Sequence, residues 1–268
     1  MGETGSSTYV CVVTGASRGI GQATAAELAR HGATVVTLGR DPARNMIRCD
    51  LASFASIRAA AAEIIARWPR IRLLVNNAGV QHRRRTVSAD GIESTLAVNH
   101  LAPFLLTHLL LPALGAGAPS RIVTVSSSLA RWGRIDFDDL QGVRRYNGTR
   151  AYLQSKLANV MFTASLAERS AASGVTAVCA YPGLVATDLL RERWWWRARW
   201  LRPLWRAMFL SPNDAGRAVA AAAAAPTPLG AACLTLGGRP VQLPRAARDT
   251  AARRRLWETS ERLVGVHF

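Results

Sequence analysis

A short β-rich run, Tyr9-Val10-Cys11-Val12-Val13, stops at a glycine-rich turn, Thr14-Gly15-Ala16-Ser17-Arg18-Gly19-Ile20-Gly21, and a helical pattern begins at once. No other feature constrains the chain as much. Ile20, Ala23, Ala26, Leu28 and Ala29 supply the apolar positions of the helix, and Gly32 stops it. Glycines at such a turn permit a tight reversal and a close approach of backbone to a pyrophosphate. The anion then sits at the helix N-terminus, where unpaired N–H groups and the dipole favour it. Three glycines alone are weak evidence, because an ordinary βα turn uses them too; the correct strand and helix on either side strengthen the reading.

The same alternation continues. Thr34 to Leu38 reads as a strand, Ile57 to Trp68 as a helix and Ile71 to Val75 as a strand. Leu96 to Leu114 reads as a long buried helix, Arg121 to Val125 as a strand, Ala151 to Ser170 as a helix and Val175 to Ala180 as a strand. Strands alternating with helices imply parallel pairing, hence an α/β fold: a doubly wound parallel sheet with helices on both faces. No repeat or composition break divides the chain, so residues 1–268 are expected to form one domain. One connection is too short. A crossover with its helix takes at least ~10–12 residues, and Asp41 to Cys49 leaves room for a turn only.

Composition narrows the function classes. With 268 residues, 49% of them hydrophobic, the chain can bury a large core. Its net charge is +17, yet Lys156 is the only lysine and the remaining basic residues are arginines. Together with the Ala218 to Ala225 run this reads as a bias towards Arg and Ala. The clusters Arg83 to Arg85 and Arg253 to Arg255 are short and lack stacking aromatics, so nucleic acid is not an expected partner. Cys11, Cys49, Cys179 and Cys233 are far apart and suggest neither disulfides nor a zinc site, and His100 and His108 are expected to pack in the long helix. No metal is expected. The longest apolar stretch, Leu101 to Leu114, falls short of the about 20 residues that span a bilayer. Without a charged-then-apolar leader, a soluble cytoplasmic protein is the expectation.

Two sets of residues carry chemistry. A carboxylate at the end of the second strand would bond a ribose 2′-hydroxyl; this chain has Gly39-Arg40 there, with Arg18 in the turn. Two guanidiniums suit a 2′-phosphate, which favours NADP over NAD, although Asp41 follows directly and is the rival carboxylate. Tyr152 and Lys156 stand four apart on one helix face. An ammonium beside a phenol lowers the tyrosine pKa from ~10 and suits a general acid and base. Surface pairs of this spacing are common. Here the lysine is unique, and the equally spaced Tyr146 and Arg150 lie in a loop-like segment, so Tyr152 is selected.

At this point the chain resembles the short-chain dehydrogenase/reductase family. The resemblance rests on Thr14 to Gly21, Asp50-Leu51, Asn76-Asn77-Ala78-Gly79, Val98-Asn99-His100, Arg121 to Ser127, Tyr152 to Lys156, and Pro182-Gly183 with Thr187, in order over roughly residues 10 to 190. Leu101 to Leu111, the Gly133 to Asn147 insertion and Lys156-Leu157-Ala158-Asn159 resemble its retinol dehydrogenase-like branch. The resemblance implies a Rossmann fold and an NADP(H)-dependent exchange of a hydroxyl and a carbonyl. Tyr152 would handle the proton, Lys156 would lower its pKa and hold the nicotinamide ribose, and Asn99 would position a water. Aligning the strand picks Ser127 for the substrate oxygen, with Ser126 and Ser128 structural. Gly15, Ser17, Arg18, Gly19, Ile20, Gly21, Arg40, Asp50, Leu51, Asn77, Ala78, Gly79, Tyr152, Lys156, Pro182, Gly183 and Thr187 would bind the cofactor. The long Ser127 to Tyr152 spacing and the short Asp41 to Cys49 link depart from the family pattern.

The family position of residues 188–212 is a substrate lid, and Arg191 to Leu210 holds five of the eight tryptophans. An apolar, aromatic lid suits an apolar or aromatic substrate; the same Trp- and Arg-rich segment suits peripheral contact with an anionic bilayer. Residues 240–268 form a C-terminal extension, with a last helix around Arg253 to Val264 placed to cover the substrate pocket. Family members pair through their long helices, which implies a homodimer or homotetramer. The rivals to an enzyme are a catalytically silent NADP(H)-binding sensor and a basic membrane-associated adaptor on the same fold.

Overall fold

In the computed structural model, the residues described are 9–40, 46–183, 210–225, 232–235 and 238–268. Strand β1 (Val10–Thr14) leads into helix α1 (Gly19–Arg30), then β2 (Thr34–Gly39) and the two-residue β3 (Ile47–Arg48). β3 pairs in parallel with the end of β2, Leu38 opposite Ile47. The link between them spans residues 40–46, shorter than a crossover with its helix takes; its residues 41–45 lie outside those described. Helix α2 (Phe54–Arg67) and β4 (Leu73–Asn76) follow; Ser53 Oγ accepts from Ser56 N and caps α2.

The next helix is interrupted. A turn of α3 (Ser94–Leu96) and α4 (Ala102–Ala116) flank a π-turn, Ala97–Leu101. The cause is in the sequence. Pro103 has no N–H to give the Asn99 carbonyl four residues back, and its ring would clash with it, so a regular α-helix cannot run through Asn99. The expected Leu96 to Leu114 helix thus extends over Ser94–Ala116, long and apolar enough to cross a bilayer by length and composition. The burial of Leu101, Phe104, Leu105, Leu106 and Leu110 makes it a core helix instead.

β5 (Ser120–Val125), α5 (Gly148–Arg169) and β6 (Val175–Ala180) follow as expected. Not expected from the sequence were β3, a 3₁₀ turn (Ser128–Trp132) after β5, α6 (Pro212–Ala224), β7 (Ala232–Leu234), β8 (Pro240–Val241) and the short helix after it. Two helices, α7 (Arg245–Arg248) and α8 (Thr250–Val264), close the chain. The strand order is β3-β2-β1-β4-β5-β6-β7-β8, parallel except for the last pair. The order reverses between β1 and β4, which opens a crevice at the carboxyl ends of those strands.

The C-terminal extension differs from expectation. Its helix α8 is built into the core: Trp257 stacks on Phe162 at 5.8 Å and meets Phe104 edge-on at 5.0 Å, while Phe268 lies 4.9 Å from Phe104. Arg58 on α2 donates to the Val264 carbonyl at 2.8 Å, and Arg253 pairs with Glu168 at 2.8 Å. Every α5 residue from Gln154 to Leu166 is buried within this one chain. The long-helix face that the resemblance reserves for a second copy is therefore already covered along α5.

Candidate active site

The glycine turn and the segment after β4 form one unit. Thr14 Oγ1 accepts from the Asn77 and Ala78 amides at 3.0 and 3.1 Å, and Asn77 Nδ2 donates to the Thr14 and Gly15 carbonyls at 2.8 and 3.3 Å. Gly15 has φ +66°, and a Cβ there would lie 2.9 Å from Ala78 Cα; at Gly21 it would meet Gly15 O at 2.3 Å. Only glycine allows this approach. Ile20 packs into the cluster on that side of the sheet.

At the N-terminus of α1, Arg18 at the N-cap makes no side-chain cap, no acid stands in the first turn, and a Cβ on Gly19 would meet nothing within 4 Å. The backbone amides of such a helix start fit a phosphate group. Arg40 is exposed just past β2. Asp50, past β3, is an exposed turn whose Oδ1 accepts from Ala52 N at 3.0 Å, and Leu51 adjoins it. Pro182 and Gly183 follow β6. Thr187 and the Trp- and Arg-rich segment, with the expectations of lid and bilayer contact, lie outside the described residues.

Across the crevice, Lys156 is 4% exposed and donates from Nζ to the Val125 carbonyl at the end of β5, 3.1 Å away. Its Nζ lies 5.7 Å from the Tyr152 ring centroid. Burial pushes the Lys156 ammonium down to about 8 and the Tyr152 phenol up to about 12. The expected lowering of the tyrosine by the ammonium is thus not what this state shows: desolvation outweighs the charge. Tyr146, the rival, donates to the His82 carbonyl and to Glu93 Oε1, both at 3.1 Å, and Glu93 in turn caps the Thr95 and Leu96 amides. It is structural.

The three serines are placed differently. Ser126 Oγ donates to the Lys156 carbonyl at 2.8 Å, inside the protein, and Ser128 is exposed at the start of the 3₁₀ turn. Ser127, at the end of β5, is held by an N-cap contact, its Oγ accepting from Leu129 N at 3.2 Å.

Asn99 occupies the π-turn, and π-turns recur at functional sites. Its Oδ1 accepts from Val80 N at 2.7 Å, while Nδ2 donates to the Val80 carbonyl and to Ser155 Oγ, both at 2.9 Å. Both amide protons and one lone pair of the side chain are thus taken up by the protein. A Cβ on Gly79 would lie 3.5 Å from both Asn99 Oδ1 and Lys156 Nζ, so the two flank that glycine. Sequence reasoning missed Ser155, whose hydroxyl donates to the Tyr152 carbonyl at 2.8 Å while taking the Asn99 bond. It also missed Gln154, which receives Asp136 N at 2.9 Å and donates to the Leu140 carbonyl at 2.8 Å, pinning the 133–147 insertion to α5. Both sit between the two selected residues, and only their buried neighbours reveal the roles. Among the described residues, no group of three or more His, Cys, Asp or Glu side chains is placed to hold a metal.

Comparison with known proteins agrees with this geometry. The family model for short chain dehydrogenase matches residues 9–198. Retinol dehydrogenase 14 of Mus musculus is 38% identical over 95% of this chain and 85% of its own. A putative uncharacterized protein from Mycobacterium paratuberculosis has a crystal structure that superposes with a TM-score of 0.79 at 34% identity, covering 97% of this chain and 94% of that one. A short chain dehydrogenase from Burkholderia cenocepacia, solved in complex with NADP, gives a TM-score of 0.65 at 25% identity, covering 86% of this chain and 97% of that one. A dinucleotide turn facing a Tyr-Lys pair, shared motifs and this similarity lead to one conclusion: the chain belongs to the short-chain dehydrogenase/reductase family of hydroxyl–carbonyl oxidoreductases, in its retinol dehydrogenase-like branch.

Proposed function

We propose that this chain interconverts an alcohol and an aldehyde or ketone on an apolar or aromatic small molecule with NADP(H), and that Tyr152 exchanges the proton. The observation that carries the reading is the placement of Tyr152 and Lys156, one turn apart on α5, against the end of β5 and across from Gly79 and Asn99. The first amides of α1 would hold the pyrophosphate, and Arg18 and Arg40 are the cations for a 2′-phosphate. When bound, the dinucleotide supplies or accepts the hydride. Burial keeps the proton on Tyr152 at neutral pH, ready to be given to a carbonyl oxygen. Ser127 bonds that oxygen, Lys156 holds the nicotinamide ribose, and Asn99 and Ser155 fix the turn on which Gly79 stands. The NADP-bound relative supports the cofactor, and the relative named retinol dehydrogenase supports a lipophilic alcohol.

The test is oxidation of NADPH and NADH against aliphatic, aromatic and polyene aldehydes and ketones. Tyr152→Phe should lower kcat by roughly 10²–10⁴ while NADPH still binds; a variant that turns over normally would refute the role of Tyr152. Arg40→Ala should raise the KM for NADPH by about ten-fold or more, the weight of a charged hydrogen bond, and leave NADH unchanged. An equal effect on both coenzymes would return the choice to NAD. NADPH binding with no turnover on any substrate would favour the silent sensor.

A further inference from the structure

His100 follows Asn99 in the π-turn and is 1% exposed. Its Nε2 lies 2.8 Å from Ser260 Oγ on the C-terminal helix α8. Ser260 gives its own proton to the Leu256 carbonyl one turn back, at 2.8 Å. Towards His100 the hydroxyl must therefore accept, and the imidazole carries its proton on Nε2. That makes Nδ1 an acceptor. The polar neighbour of the ring on α5 is Asn159, one turn beyond Lys156. Phe104 and Phe162 enclose the ring at 6.2 and 6.3 Å.

We infer that Ser260 and His100 are positioning residues: through them the C-terminal helix holds the π-turn, and with it Asn99, in register with Val80, Ser155 and Lys156. The chain of bonds is short, and its residues from Leu256 to Asn99 are buried. It runs from the Leu256 carbonyl to Ser260, to His100, and by one backbone step to Asn99, whose amide grips Val80 on both sides. Among the described residues, no other side-chain hydrogen bond ties α8 to the π-turn. The last helix thereby becomes a support of the reacting site. This inference rests on the proposed role of the Asn99 turn in the reaction.

Loss of the strut should leave binding intact and misplace the turn. Ser260→Ala is expected to lower kcat roughly ten-fold, the scale of a sub-ångström misplacement, with KM values unchanged. The Val80 amide, bonded to Asn99, should exchange hydrogen faster, while β5 amides do not. Ser260→Thr keeps the hydroxyl at the same helix position, so it should restore both readouts. Unchanged kcat and unchanged Val80 exchange in Ser260→Ala would overturn the inference. So would a loss of activity accompanied by faster exchange everywhere and no rescue by threonine, which marks a merely structural helix. Val80 exchange reports the strut even if Tyr152→Phe remains active, so the two readings fail separately.

Discussion

Lys156 shows how a single side chain can set opposing demands. The proposed function needs it charged, yet it stands in the interior with the Val125 carbonyl as its hydrogen-bond partner. Burial lowers its pKa from 10.5 to about 8. Between those values the unfolded chain keeps a proton that the folded chain has released, so stability rises with pH across the window. The contribution is full above pH 10.5 and is lost as pH falls through 8. The slope is at most ~1.4 kcal/mol per pH unit. Compared with Lys156→Met, the cofactor-free protein should gain roughly 5 °C in Tm between pH 8 and pH 10; the comparison cancels the cysteines and tyrosines that titrate nearby. Parallel melting curves would show that the lysine stays charged in place. Much of this residue was legible beforehand, because a lone lysine four positions after a tyrosine stands out in an arginine-rich chain. Its pKa was not. Spacing tells that two groups are near each other, whereas desolvation depends on Val125, Cys179 and the rest of the wall around them, which no local pattern encodes.

Elements teach a similar lesson through α6, which packs against α1 beneath the phosphate turn. Gly216 is the point of closest approach: a Cβ there would lie 2.5 Å from Ala23 Cβ and 2.7 and 2.8 Å from the Ala23 and Thr24 backbone. Two effects compete in Gly216→Ala. Helix propensity favours alanine by about 1 kcal/mol, and overpacking costs about 1–3 kcal/mol. Since the obstructing atoms are backbone of α1 and cannot swing away, the clash should win. A Tm lowered by about 3 °C, in line with ~1 kcal/mol for a chain of this size, is expected, with weaker NADPH binding as α1 shifts. A variant as stable as the parent would show that the two helices have slack. The helix itself was hidden in an alanine run read as compositional bias; its signal was the cap, Ser211-Pro212 with Asp214, where Ser211 Oγ accepts from Asp214 N at 3.1 Å. The π-turn also had a signal, Pro103 four residues after Asn99. By contrast the alternation of strands and helices up to β6 was read correctly, because hydrophobic period is a local quantity; β3, two residues inside the short Asp41 to Cys49 link, was not.

At the scale of the whole molecule, α8 decides which surfaces remain for partners. A helix buried all round, as α5 is from Gln154 to Leu166, normally has neighbours on every side. Here one chain supplies them all, the last through Leu256 and Trp257. The outward side of α8 carries Arg254, Arg255, Glu258 and Arg262, exposed and charged. A stable pairing buries about 800 Å² on each partner around an apolar centre, and this side offers no such centre. Unpacking α8 to reach α5 would expose Trp257 beside Phe104 and Phe162, at a cost of about 3–5 kcal/mol for the tryptophan alone, the scale of its truncation. A net charge of +17 adds repulsion between copies. Light scattering on the purified protein should therefore find one chain per particle, with the same result when salt is raised to screen the charge. A dimer that forms only at high salt would mean that repulsion had kept an otherwise fitting surface apart. A dimer at every salt concentration would mean that a copy pairs through a surface other than α5, with the catalytic helix still braced from within its own chain.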